Sequence, residues 1–325
     1  MQTTFQNFSI PQTETSPKSA SSKNVQNYGS SGNVKTYTLS SAAALGTGVV
    51  LRHALFKFVV NKPVLLKKRF LNALKFNEKE SVQLLQACEE TLVSSGLKDK
   101  GITIKYLAKS EENRAELTKI YSEIKLKSKW KNWKFIKRAI YRKRQKKLNQ
   151  YLNGTNACYM DAKKAIWVNE EKLIGSVFHE LGHAKSAVLG KGRLLCTLDR
   201  ILRKKTGLMF LAGALIPVRK NTKEDGKGSL QRKADNALVK SLPFLYLASK
   251  LPLLTEEATA SKNGLEMAKK VLSGAQLKTL GRAYKIAFST YLVSSVIPAV
   301  TLGAMIFVKN KLQNSLNAHS HVSKN

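Results

Sequence analysis

The chain has 325 residues, enough for one sizeable domain or two small ones, and 43% of them are hydrophobic, so a packed core is within reach. Lys and Arg number 56 against 21 Asp and Glu, a formal charge of +35, which attracts polyanions, chiefly nucleic acid or an anionic membrane face. Three widely spaced cysteines, Cys88, Cys158 and Cys196, contain no CxxC pair; they argue against a disulfide framework and a cysteine zinc finger, and suit a reducing compartment.

Residues 1–38 are rich in Ser, Thr, Asn and Gln and lack the basic start and apolar run of a signal peptide. They are expected to form a disordered polar tail. The apolar stretch 39–62 opens as LSSAAALGTGVVL but carries Arg52, His53 and Lys57. A charge near the bilayer centre costs about 2.5–3.5 kcal/mol, so this stretch is a poor span that either dips into a membrane or packs on other helices.

Residues 63–149 read as a basic helical region. Leu71, Leu74, Leu84, Leu85 and Leu92 predict a helix over 70–98, with Gly96 at its C-terminal cap. The alternation in ITIKYL predicts a strand over 102–107, and a helix follows over 111–126. In Lys125–Lys147, 12 of 23 residues are Lys or Arg and none is acidic, with Trp130, Trp133, Phe135, Ile136, Ile140 and Tyr141 at helical intervals. Such a segment suits a helix in the headgroup region of an anionic membrane; a solvated helix with an aromatic side in the core and a nucleic-acid surface are the alternatives.

Residues 150–285 carry the chemistry. Asn156–Met160 and Lys164–Val168 predict a short hairpin, and a helix is expected from an Asn169 cap to about Val188, stopped by Gly190. Two apolar runs follow at 207–218 and 242–254, short for membrane spans and therefore re-entrant, interfacial or snorkelling at their ends, with a basic loop at 219–240 between them. Ile286–Val308 is 23 residues without a charge. As a helix it reaches ~34 Å, enough to cross a ~30 Å hydrocarbon core, so it is expected to be a transmembrane helix. A basic tail, 309–325, ends the chain. The basic excess of residues 61–205 over that tail favours the cytoplasmic face for the intervening helix.

That helix contains HELGH at 179–183. His179 and His183 are one turn apart and face the same way, the spacing with which two imidazoles reach one Zn²⁺ at about 2.0–2.1 Å. Glu180 projects beside them, where it can take a proton from an activated water. Gly182 costs about 1 kcal/mol of helix propensity, an expense that a close neighbour or a substrate backbone would explain. A third ligand is needed, and the remaining histidines are poorly placed for it. Glu256 and Glu257, expected at the start of a helix after the third apolar run, supply a carboxylate; the pair also fits simple dipole complementation.

Asn156-Ala157, His179–Ala184 (HELGHA), Glu257–Ser261 (E-x-x-A-S) and Thr290-Tyr291, spread over residues 150–308, resemble the bacterial neutral zinc metallopeptidases. These are membrane-associated, gluzincin-like relatives of the heat-shock and prenyl-protein membrane proteases. The resemblance implies a mainly α fold with a small β-sheet (α+β, zincin-like), membrane-associated through at least one C-terminal transmembrane helix. It implies zinc ligands His179, His183 and Glu257, with Glu256 as the fallback, and Glu180 as the catalytic base. Ser261 stands where related proteases often have an Asp that hydrogen-bonds a zinc histidine. Ala165, Ile166 and Trp167 are expected to align the substrate backbone as an edge strand. Arg282, Tyr284 and Tyr291 are the nearby candidates for stabilising the oxyanion.

Two functions follow as expectations. The first is a Zn²⁺-dependent endopeptidase in the bacterial cytoplasmic membrane, acting on membrane or misfolded polypeptides near the cytoplasmic face and in contact with anionic lipid headgroups. The second is a non-catalytic basic tether, at a membrane surface or on nucleic acid, built on a degenerate zinc-protease fold.

Overall fold

The computed structural model describes residues 38–50 (except 44 and 47), 69–74 (except 71), 76–123, 134–216 and 228–322. The tail at 1–37, the apolar stretch beyond Val50, Trp130 and Trp133, and residues 219–227 lie outside them; the rest of the expected loop, 228–240, is helical.

The fold is mostly helical with one three-stranded sheet. The helix expected over 70–98 is divided: residues 69, 70, 72 and 73 are helical, and helix α1, Glu78–Ser94, restarts after Asn77, which makes a capping box: its Oδ1 accepts from Glu80 N at 2.8 Å, and the Glu80 carboxylate accepts from Asn77 N at 3.0 Å. Gly96, with φ of 68°, turns the chain just past its end. Strand β1, Thr103–Tyr106, is followed by α2, Glu111–Ser122, and α3, Lys134–Leu152. Strands β2, Cys158–Met160, and β3, Ala165–Val168, form the hairpin.

The sheet order is β1-β3-β2, with β3 parallel to β1 and antiparallel to β2. All four β3 residues are buried. Ala165 and Trp167 join Leu117, Tyr121, Leu148 and Tyr151 from α2 and α3, whereas Ile166 and Val168 join the main core. The expected edge strand is therefore the central one: Ala165, Ile166 and Trp167 have neighbours on both edges and packing on both faces, and cannot receive a substrate strand.

The expected single helix 169–188 is divided into α4, Glu170–Leu173, a 3₁₀ turn at Ile174–Ser176, and α5, Val177–Val188. The backbone leaves the helix at Leu173, with φ −135° and ψ 22°, and Gly175 occupies a crowded place in the turn. A Cβ there would lie 2.9 Å from Leu74 and 3.0 Å from both Leu280 and Phe76, and its carbonyl accepts from the Tyr284 hydroxyl at 2.8 Å. Asn169 occupies the cap position, but its amide donates to Leu152 O at 3.1 Å instead of capping. Glu170 likewise faces away from its own helix and accepts from Ala108 N and Lys109 N at 3.0 and 2.9 Å, fastening the end of β1.

Four helices complete the chain: α6, Lys191–Leu215; α7, Gly228–Ala248; α8, Leu251–Ala268; and α9, Gly274–Val322. The run expected at 207–218 is thus, up to Leu215, the end of a long helix, and the run at 242–254 is broken at Ser249-Lys250 between two helices. Two helical stretches, Lys233–Ala268 and Gly274–Ser315, are long and apolar enough to cross a membrane.

The main core takes in Leu84, Cys88 and Ile102 together with Phe178, Leu181 and Tyr284, so it draws on both sides of residue 150. A second cluster joins α6, α7 and α9 through Ala214, Val239, Leu242, Tyr246, Leu302 and Ile306. Leu208, Leu215, Phe244, Val300 and Phe307 remain exposed around it. Lys309 is fully buried there, and its ammonium donates to Gly213 O at 3.2 Å and to Ile216 O, meeting the unpaired carbonyls at the end of α6.

Candidate metal centre

The centre is made by the crossing of α5 and α8. Where the helices touch, each offers a glycine. A Cβ on Gly182 would lie 2.0 Å from Ala260 O, and one on Gly264 would lie 2.3 Å from Phe178 O. The neighbour that Gly182 accommodates is therefore the α8 backbone. Close approach of the two backbones brings residues 78 positions apart, His179 and Glu257, within ligand distance.

Gly182→Ala or Gly264→Ala is expected to push the helices apart at a cost of about 3 kcal/mol. The expected readout is a lowered thermal midpoint together with weakened metal binding. Gly281→Ala, in a helix with nothing within 4 Å of the new methyl, is the control and should hold or raise the midpoint. If all three variants melt alike, the crossing is not a close contact.

His179 Nε2 and His183 Nε2 are 3.1 Å apart, and Glu257 Oε2 is 3.3 and 3.6 Å from them. Ligands at about 2.0–2.2 Å in tetrahedral geometry stand roughly 3.3–3.5 Å from one another, so these three atoms form a triangle of the size one ion requires. Glu257 Oε2 is also buried without a hydrogen-bond partner. A metal is the natural partner for such an atom. His179, His183 and Glu257 thus form a group that could hold a metal ion.

Both histidines are oriented through their other nitrogen. His179 Nδ1 lies 3.1 Å from Ser261 Oγ, and His183 Nδ1 lies 3.4 Å from Glu256 Oε1. The two adjacent glutamates are thereby separated in role: Glu257 faces the Nε2 pair and Glu256 backs His183. Cys196 Sγ donates to the same Glu256 oxygen at 3.0 Å. Burial lowers the His183 pKa, but the Glu256 and Glu257 carboxylates, with the charge of Glu180, outweigh it and hold the imidazole up to about 10.

Glu180 is buried beside this group. Its Oε2 accepts from Tyr159 N at 2.7 Å, which links α5 to β2. No feature of Tyr159 alone marks it for this part, although it falls in the hairpin expected from Asn156–Met160 and Lys164–Val168. Tyr284 packs its ring 5.4 Å from that of His179, but its hydroxyl donates to Gly175 O and is not free for an oxyanion. Arg282 is exposed and lies off the cavity. Tyr291 lines the cavity, and its phenol interacts with Glu257.

The cavity measures about 880 Å³. His179, Glu180, His183 and Glu257 line one side. Ala157–Tyr159 of the β2 region, Lys147 and Tyr151 of α3, Arg193 and Arg200 of α6, and Ala287, Thr290 and Tyr291 of α9 line the others.

No family model, curated protein or solved structure shows a significant match to the chain. What can be said of the centre rests on its own geometry.

Proposed function

We propose that the chain is a membrane-bound, zinc-dependent endopeptidase whose cleft works at the cytoplasmic face on membrane or misfolded polypeptides. The observation that carries this reading is Glu180: a buried carboxylate, one oxygen held by Tyr159 N at 2.7 Å, next to a three-ligand group of tetrahedral dimensions. A merely structural metal site has no use for it.

The donor set of two imidazoles and one carboxylate, with a cavity against it, matches an open catalytic zinc site better than a closed structural one. Zinc bound there would supply Lewis acidity and a water of lowered pKa. Glu180 takes the proton of the attacking water through its free oxygen and delivers it to the leaving amine nitrogen. Holding Oε2 on Tyr159 N fixes the carboxylate before substrate arrives, so little reorganisation accompanies the transfer. Of Arg282, Tyr284 and Tyr291, Tyr291 is the one that lines the cavity with its hydroxyl not held by Gly175, and it is the candidate for stabilising the oxyanion. The substrate lies beside β2, whose Cys158 and Tyr159 line the cavity and whose Tyr159 amide is already taken by Glu180.

Membrane attachment is supported by α9, by the stretch Lys233–Ala268, and by the exposed apolar side chains around the second cluster. The purified chain in detergent is expected to hold about one zinc per molecule and to cleave members of a broad peptide library. A chelator should abolish cleavage and added zinc restore it. A zinc-loaded chain that cleaves nothing overturns the peptidase reading.

A further inference from the structure

Helix α3 has no part in metal binding, yet it is the most highly charged element of the described chain. Between Lys134 and Leu152 it carries no acidic residue. Lys134, Lys137, Arg138, Arg142, Lys143, Lys146 and Lys147 are all exposed, and among the described residues none of them is ion-paired. Tyr141 stands among them with 47% of its surface exposed. Only the C-terminal end, through Leu148 and Tyr151, enters a core.

The cavity places the C-terminal end of this helix. Lys147 and Tyr151 of α3 face the same cavity as Ala287, Thr290 and Tyr291, the first turns of the uncharged run of α9. Arg193 and Cys196 of α6 also line it, and the far end of α6 meets the far end of that run, where a Cβ on Gly213 would lie 2.8 Å from Leu302. Both helices therefore lead away from the cavity into the apolar cluster. From Tyr291 to Lys309 is 18 residues, ~27 Å of helix, close to the ~30 Å thickness of a hydrocarbon core. If α9 spans, the cavity is at one border of the hydrocarbon, and the C-terminal turns of α3 are at that border.

A helix at that level, cationic on its exposed surface and bearing a partly exposed tyrosine, matches the chemistry of an anionic headgroup layer. We propose that α3 docks on the anionic phospholipids of the leaflet at which the cavity opens. Its exposed Lys and Arg side chains pair with headgroup phosphates, and Tyr141 enters the interface. Docking would hold the cleft against the membrane, so that the chain segments within reach are those emerging from the bilayer. The inference rests on the spanning reading of α9 and not on the peptidase reading.

The full-length chain reconstituted in nanodiscs of phosphatidylcholine, with and without phosphatidylglycerol, provides the test, with amide hydrogen exchange over residues 134–147 as the readout. Exchange is expected to slow about tenfold in the anionic discs, and high salt should remove the difference. The combined Lys137→Glu, Arg138→Glu and Arg142→Glu substitutions, all on the exposed surface, should bring exchange in the two kinds of disc within about twofold of each other while leaving α5 protected as before. Equal exchange of the wild-type helix in neutral and anionic discs overturns the proposal. Protection by a single-stranded oligonucleotide without any lipid dependence overturns it in favour of a nucleic-acid surface. A chain that does not enter nanodiscs removes the spanning reading and the docking with it. Because peptide cleavage is measured separately, loss of docking leaves the peptidase reading to its own test.

Discussion

Glu180→Gln is expected to lower peptide hydrolysis by about 10³-fold while zinc content stays at the wild-type level. The amide oxygen of Gln can still accept from Tyr159 N, so the link between α5 and β2 survives and the fold has no reason to change. What the amide cannot do is take a proton from water. Glu180 is also not one of the three atoms in the ligand triangle, so its substitution leaves His179, His183 and Glu257 in place. Zinc occupancy by elemental analysis and initial cleavage rates, measured on the same preparation, separate the two effects. A Gln variant with wild-type rates would remove Glu180 from the chemistry. Joint loss of zinc and activity would show that the residue supports the site and leave its role as base unsupported.

The second large effect is expected from the adjacent glutamates, which the structure sets at different distances from the ligand nitrogens. Glu257→Ala removes the buried oxygen that lies 3.3 and 3.6 Å from the two Nε2 atoms. Zinc-site free energies of about 10–16 kcal/mol, divided over four ligands, give roughly 3 kcal/mol for one, a loss of affinity above about 100-fold. Glu256→Gln instead weakens the support behind His183 Nδ1 and should cost about tenfold. Competition with a calibrated zinc chelator measures both. The reverse order would assign Glu256 as the ligand. Equal, small losses would mean that neither carboxylate binds the ion.

The charge of the chain bears on the same site from a different direction. Lys147, Arg193 and Arg200 stand around a cavity whose metal side is acidic, although Arg193 is engaged with Asp161 at 3.0 Å. The polar wall of the cavity is therefore not a simple extension of the +35 field of the whole chain. Buried Lys309 makes a similar point. In the sequence it is a flanking charge at the end of an apolar run, where a snorkelling lysine is the usual expectation. In the fold it turns inward onto the last carbonyls of α6, because the unpaired end of a neighbouring helix offers it acceptors that lipid does not.

Local features were legible where one element carries the whole signal. Spacing alone puts His179 and His183 on one face of α5, and alternation alone marks the strand β1. Composition alone marks the uncharged stretch of α9, and hydrophobic patterning supports a mainly helical chain with a small sheet. Features that depend on a partner were not legible. The four residues of β3 read equally well as an edge or as a centre, because burial on both faces and pairing on both edges are supplied by β1, β2, α2 and α3. The need for glycine within the turn at Ile174–Ser176 comes from Leu74, Phe76 and Leu280, which crowd position 175, and from Tyr284, which bonds its carbonyl. The division of labour between Glu256 and Glu257 depends on how α8 is rotated against α5, and that rotation is set by Gly182 on Ala260 and Gly264 on Phe178. Helix periodicity determines which side chains share a face. Which two faces meet, and how closely, is decided only when the backbones pack, and at this site it is two missing side chains that let them meet.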